Sequence, residues 1–305
     1  MKKFKGEMCL MAAAIIWGSS FIFQKMGMDY IGPFTFGFFR FVLGALALLP
    51  LIWILDKVNK KRTVPKEITP FKDKLLLKGG LFCGLTCFIA ASLQQVGIVY
   101  TTAGKAGFIT SMDIVIVPVI LIFLRKKVGL FTWIGVAIAS FGLYLLCITD
   151  GFTIKLADGL IMGCALFYAI QIILIDYYSE RVDPIKLSFL EFIICGILSG
   201  VVMLMVETPQ LQGILDCAIP IVYTGILEVS IAFTLQIVGQ KDTPPAIAAI
   251  IMSLEAFFSV LCGFLFLGEV MTFRELIGCG LMLTAFIVTQ IHFDGDKEGE
   301  EAKIS

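Results

Sequence analysis

Residues Ala90 to Asp113 read AASLQQVGIVYTTAGKAGFITSMD, and residues Ala232 to Glu255 read AFTLQIVGQKDTPPAIAAIIMSLE. The two stretches align without a gap. Identities fall at Ala90/Ala232, Leu93/Leu235, Gln94/Gln236, Val96/Val238, Gly97/Gly239, Thr101/Thr243, Ala106/Ala248, Ile109/Ile251 and Ser111/Ser253. The run carries Gln, Gly, Thr and Ser in register and ends with Asp113 opposite Glu255, which apolar low complexity alone does not produce. A weaker echo at a different spacing pairs Trp17 with Tyr168, Pro33 with Pro184, Phe38 with Phe189 and Phe41 with Phe192. The chain therefore reads as two copies of one unit that meet near residue 150, with repeats at 1–150 and 151–293 and a short acidic tail at 294–305.

Composition fixes the solvent. The chain is 58% hydrophobic and 16% charged, with a mean hydropathy of +0.95, outside the range of soluble domains. Apolar windows of roughly 18 to 24 residues, long enough to cross ~30 Å of hydrocarbon as helix, run at 8–27, 34–55, 75–98, 102–124, 130–148, 158–177, 186–206, 217–238, 244–267 and 273–292. These are continuous apolar runs, not the period-two alternation of barrel strands. The expected fold is an all-α integral membrane protein of ten transmembrane helices.

Loop charge orients them. With the N-terminus cytoplasmic, the inside segments hold Lys2, Lys3 and Lys5, the basic stretch from Lys57 to Lys78, the Arg125-Lys126-Lys127 run, and Arg181, Lys186, Lys241, Lys297 and Lys303. The outside segments hold Lys155 and Arg274, with Lys25 near a helix end. The positive-inside rule thus places both termini in the cytoplasm and the protein, multi-pass, in the cell membrane. Residues 1–27 are not expected to be a signal peptide, because the window is long enough to span and Ala12–Ala14 lies too early for cleavage. Five helices per copy is an odd number, so the two repeats insert with opposite orientation, as inverted repeats do in secondary transporters.

Several short stretches resemble one family. Trp17-Gly18-Ser19-Ser20-Phe21, Arg40 early in the second window, and Tyr100 through Thr110 leading to Pro118 are similar to the first half of a drug/metabolite transporter of the EamA type. Pro245-Ala246-Ile247-Ala248-Ala249 and Leu267-Gly268-Glu269 resemble the second-repeat signatures of that family. The resemblance covers nearly the whole chain. It implies a ten-helix carrier of small metabolites with a central cavity lined by helices 1, 3, 4, 6, 8 and 9, and it implies no particular substrate.

Polar side chains inside the apolar windows locate the candidate site, since an ionised group at the bilayer centre costs at least about 2.5 kcal/mol on insertion scales. Asp113 and Glu255 fall near the middles of windows four and nine, at matched repeat positions. Glu228 falls near the middle of window eight, opposite Thr86. With Trp17, Gln94, Lys105, Gln171 and Gln236 they make up the expected substrate-binding set. Structural hydrogen bonds between helices are the alternative role for Gln94 and Gln236, and ordinary packing is the alternative for Trp17, Tyr100, Phe167 and Tyr168, which otherwise offer cation–π faces. Lys105 and Asp113, eight residues apart, lie within about 80° on a helix but ~12 Å apart in rise, so a bridging zwitterion or water would join them.

Arg40 and Glu191 occupy equivalent positions and are expected to act as gates or as structural charges that brace backbone or snorkel. Inversion sends them toward opposite membrane faces, so no direct pair is expected. Pro118 is expected to kink window four, and Pro244-Pro245 to begin window nine. Gly159/Gly163 and Gly196/Gly200 have the four-residue spacing of close helix crossings.

Acids outnumber bases inside the hydrocarbon. This favours a small amine-bearing or zwitterionic metabolite, such as an amino acid, over a polyanion, and protons as the coupling ion; the expected direction, which the charge count does not set, is export. The expected partners are that small molecule, the lipid bilayer and protons, with a homodimer left open and no nucleic acid. A facilitative carrier or channel is the alternative. Catalysis is not expected: His292 is the single histidine, so no triad or H-E-x-x-H site can form. Cys83 and Cys87 share a face without further ligands, and no metal or cofactor is expected.

Overall fold

Uninterrupted apolar runs without water to satisfy their peptide groups close those groups internally, and helices result. The computed structural model describes residues 2–60, 69–100, 103–147, 156–267 and 272–301, with side chains at 4–58, 69–100, 106–146, 156–262 and 272–289. The elements are α1 (Lys2–Gly27), α2 (Pro33–Lys60), α3 (Lys74–Val99), α4 (Ala103–Thr110), α5 (Asp113–Phe123), α6 (Leu130–Cys147), α7 (Leu156–Ser179), α8 (Pro184–Val206) and α9 (Leu211–Asp216). After these come α10 (Ala218–Tyr223), a π-helix (Thr224–Phe233), α11 (Thr234–Gln240), α12 (Pro245–Met252), α13 (Glu255–Leu267) and α14 (Phe273–Glu301). Among the described residues there is no strand. Within those residues, eight helical stretches are long and apolar enough to cross a membrane, and Leu130–Leu146 is a shorter apolar helix. The protein is a multi-pass helical membrane protein. The last expected window lies in α14, and the side chains of the acidic tail lie outside the described residues.

Local chemistry sets the helix starts. Pro33, Pro184 and Pro245 each open a helix, where a missing N–H costs little. Asp73 and Asp183 cap α3 and α8, each accepting from two backbone N–H groups at 2.8–3.1 Å. The start of α2 is capped from a distance: Glu207, just past α8, accepts from Phe34 N at 2.9 Å, Thr35 N at 2.7 Å and Thr35 Oγ1 at 2.6 Å.

The two halves pack by matching contacts. Gly239 at the end of α11 lies against Gly6 and Leu10 of α1, as Gly97 at the end of α3 lies against Ala157 and Ile161 of α7. Gly225 in the π-helix abuts Leu43 and the Arg40 carbonyl of α2, as Gly84 in α3 abuts Ile194 and the Glu191 carbonyl of α8. Phe41 and Phe192, one from each half, meet at 6.4 Å between α2 and α8. The remaining pair, α6 and α14, closes over Gly142 and Gly278, each of which faces the other's carbonyl oxygen. Backbones approach this closely only where no Cβ intervenes.

Several expectations change. Windows four and nine are not continuous helices: each is divided, at Ser111-Met112 and at Ser253-Leu254. Pro118 does not mark the division, for it lies inside α5, and its counterpart in the other divided helix is Val260, which lacks a proline ring. Window eight contains ten residues of π-helix. Glu228 does not stand opposite Thr86, which bonds back to Phe82 O and Cys83 O on its own helix. Gln94 follows Gly84 by ten positions and Gln236 follows Gly225 by eleven, so the second half has one residue more. By packing, Cys87 is the counterpart of Glu228. Of the glycine pairs, Gly196 and Gly200 do carry a close crossing, against Val42 and Phe38 of α2, while Gly159 faces open space.

Candidate functional site

The two divided helices build the site. At each division the helix tightens to three-residue bonds: Met112 N to Ile109 O and Ile114 N to Ser111 O, both 3.2 Å, match Leu254 N to Ile251 O at 3.2 Å and Ala256 N to Ser253 O at 3.3 Å. Asp113 and Glu255 are the first residues of α5 and α13. A carboxyl at a helix's N-terminal end sits where the backbone dipole is positive. The Ser111 hydroxyl of one half donates to Glu255 Oε1 of the other at 3.4 Å.

Around these acids lies a cavity of about 540 Å³ of empty space, its mouth included. Its walls come from α1, α3, α4 with α5, α7, the π-helix with α11, and α12 with α13. Of the expected set, the first half contributes Trp17, Gln94 and Asp113, and the second contributes Gln171, Glu228, Gln236 and Glu255. The Lys105 side chain lies outside the described residues, as does any contact it makes with Asp113. Tyr168 lines the cavity; Tyr100 does not, and is 67% exposed.

Arg40 and Glu191 stand behind this wall. Arg40 is 1% exposed, against the expectation of a snorkelling charge, and Arg40 Nη1 donates to Glu228 Oε1 at 3.1 Å. Phe36 and Phe41 flank its guanidinium at 5.4 and 5.0 Å. Gln24 Nε2 donates to the same Glu228 oxygen at 3.1 Å. Glu191, fully buried, accepts from Gln171 Nε2. Arg40 therefore offsets the Glu228 charge, and Asp113 and Glu255 remain as the acids with no basic side chain among the described lining residues.

Polar capacity is left over on the wall. Trp17 Nε1, Gln171 Oε1, Glu228 Oε2 and Gln236 Oε1 have no hydrogen-bond partner among the described residues. Three of these four are acceptors, and buried acceptors without donors are costly until something supplies a proton to share. Apolar surface frames them: Trp17 meets Phe233 edge-on at 5.1 Å, and Phe21 lies nearby on α1. Reading the sequence missed Gln24, although a lone glutamine inside an apolar window is the same signal that marks Gln171. Ser111 and Ser253 were visible as repeat matches but not as the hinges of divided helices.

A helical membrane protein whose two matching halves enclose a polar cavity belongs to the class of small-molecule transporters. The comparison with family models is specific: residues 4–148 and 155–290 each match the EamA-like transporter family, and the chain belongs to that family. A protein of Archaeoglobus fulgidus named an uncharacterized transporter is 31% identical over 297 residues, covering 95% of this chain and 87% of its own. Another protein so named, from Methanothermobacter thermautotrophicus, is 23% identical over 304 residues, covering 94% of this chain and 87% of its own. A solved crystal structure shares the fold at a TM-score of 0.75 and 15% identity, covering 94% of this chain and 96% of that one. The protein is a transporter rather than an enzyme.

Proposed function

We propose that the protein is a secondary transporter that exports a small amine-bearing or zwitterionic metabolite, such as an amino acid or a related compound, across the cytoplasmic membrane by alternating access. The observation that carries this reading is the acceptor-rich cavity, with matched carboxyls at Asp113 and Glu255 and no basic residue among its described lining. A ligand bearing N–H donors and positive charge complements such walls, whereas a phosphate ester would add acceptors to acceptors.

The scaffold in this reading has ten spans, α14 being the tenth, in two five-helix halves of opposite orientation with both termini cytoplasmic. Support comes from helix ends. The start of α1 lies by the end of α11, and the start of α7 lies by the end of α3. Lys25 at the end of α1 reaches Ile98 O at that same end of α3, at 2.7 Å. These contacts favour opposite starting faces for α1 and α7, so that exchanging the conformations of the halves would turn an outward-open cavity inward. A carboxyl at Asp113 or Glu255 that releases a proton as an ammonium binds would let an inward proton gradient drive the amine outward.

The reading is tested by ligand-induced thermal stabilisation of the purified protein across amino acids, amines, nucleosides, sugars and phosphate esters. A ligand at a hundred times its Kd stabilises by about 2.7 kcal/mol. Amine-bearing compounds should raise the unfolding temperature; stabilisation confined to phosphate esters would contradict the assignment.

A further inference from the structure

Two charges at matched repeat positions, Arg40 on α2 and Glu191 on α8, stand behind the cavity without lining it. Each holds one polar atom of a residue that does line it. Arg40 engages Glu228 Oε1, and Glu228 Oε2 has no partner among the described residues. Glu191 engages Gln171 Nε2, and Gln171 Oε1 has no partner among the described residues. Both Gln171 and Glu191 are 0% exposed, so the hydrogen bond between them is shielded from solvent.

The two ends of a glutamine amide are nearly the same size, and rotating it by half a turn exchanges an acceptor for two donors at little steric cost. What chooses between them is the neighbour. An ionised carboxylate has no proton to give, so against it the amide turns its NH2 group toward Glu191 and leaves its oxygen for the cavity, which is the orientation found. We propose that Glu191 is a positioning residue that orients the Gln171 amide so that the cavity is offered a carbonyl oxygen, setting the preference of the site for ligands that donate hydrogen bonds. Arg40 does the same for Glu228 with the opposite charge: it occupies one carboxyl oxygen and leaves the other. The two halves thus use unlike charges at equivalent positions to reach one result, an acceptor on the wall. A site built this way discriminates against a ligand that cannot donate, because its buried oxygens then stay unpaired. The biological sense of this preference rests on the amine-transport reading above.

The test uses the full chain in lipid nanodiscs, titrated by tryptophan fluorescence with aniline, a neutral N–H donor, and acetophenone, an acceptor-only ligand of similar size, so that loss of a charge does not by itself move the ratio. In Glu191→Gln the two amides can pair either way round, so Gln171 is free to present its NH2 group. The ratio of aniline to acetophenone affinity should shift toward acetophenone by roughly fivefold, the worth of one neutral hydrogen bond. A ratio unchanged by Glu191→Gln, with only thermal stability lowered, would make Glu191 a structural residue and overturn the proposal. If that variant does not fold, Gln171→Met decides: a shift toward acetophenone supports an oxygen presented at Gln171, and an unchanged ratio refutes it. A wild-type protein that does not favour aniline would count against amine transport alone, since the shift between variants reads the role of Glu191 separately.

Discussion

α3 and the stretch from α10 to α11 occupy the same place in the two halves, yet the first is one regular α-helix of 26 residues and the second is split by ten residues of π-helix. Both ends of the comparison are anchored. Gly84 and Gly225 pack on equivalent carbonyls, and Gln94 and Gln236 both line the cavity. Between these anchors the second half has one residue more, and the wider i→i−5 bonding of a π-helix takes it up without disturbing either end. The consequence is chemical. Where the first half has Cys87, the second presents Glu228, held by Arg40 and Gln24. The divided helices with Asp113 and Glu255 are what the halves share, and they suit a mechanism of exchanged conformations; the π-helix is where the halves part, and it suits discrimination between ligands.

The largest effect expected from breaking this asymmetry is at its charge pair. Glu228→Met leaves the Arg40 guanidinium buried without its carboxylate and should cost about 3–5 kcal/mol of stability, read by thermal or denaturant unfolding. The double variant Arg40→Met/Glu228→Met should recover most of that loss; a double variant as unstable as the single one would mean the pair is not coupled. Deleting Ile231 gives the second half the residue count of the first and lets the stretch revert to α-helix. It should cost less, about 2–3 kcal/mol, because no charge is orphaned, and a loss exceeding that of Glu228→Met would show that the π geometry itself carries the fold. The smallest effects test the anchors. An added Cβ would lie 2.8 Å from Ile194 Cβ at Gly84 and 2.9 Å from Leu43 Cδ2 at Gly225, so Gly84→Ala and Gly225→Ala should each cost about 1–2 kcal/mol. Clearly unequal losses would break the equivalence of the two positions.

The apolar windows and the repeat were legible in the sequence because both depend only on composition and register. Asp113 and Glu255 could be paired from their positions alone, and the structure brings them to one cavity with Trp17 and the glutamines. The divisions were not legible: neither Ser111-Met112 nor Ser253-Leu254 carries a glycine or proline, and hydropathy does not distinguish a tightened turn from a regular one. The π-helix left one trace: Gly84 and Gly225 match at a spacing one residue shorter than the spacing that pairs Ala90 with Ala232. Extending the same spacing past that point is what set Glu228 opposite Thr86. The Arg40–Glu228 pair, 188 residues apart, depends on how α2 meets the π-helix, and no local pattern encodes that.

In the proposed function, the matched carboxyls exchange protons for an amine-bearing substrate. Proteoliposomes loaded with a fluorescent pH indicator and exposed to a panel of amino acids and simple amines test it directly. The wild-type protein should show proton movement on addition of at least one amine-bearing compound, and Asp113→Asn and Glu255→Gln should each abolish that movement while leaving compound binding detectable. Proton movement of the same size in both variants would contradict the account.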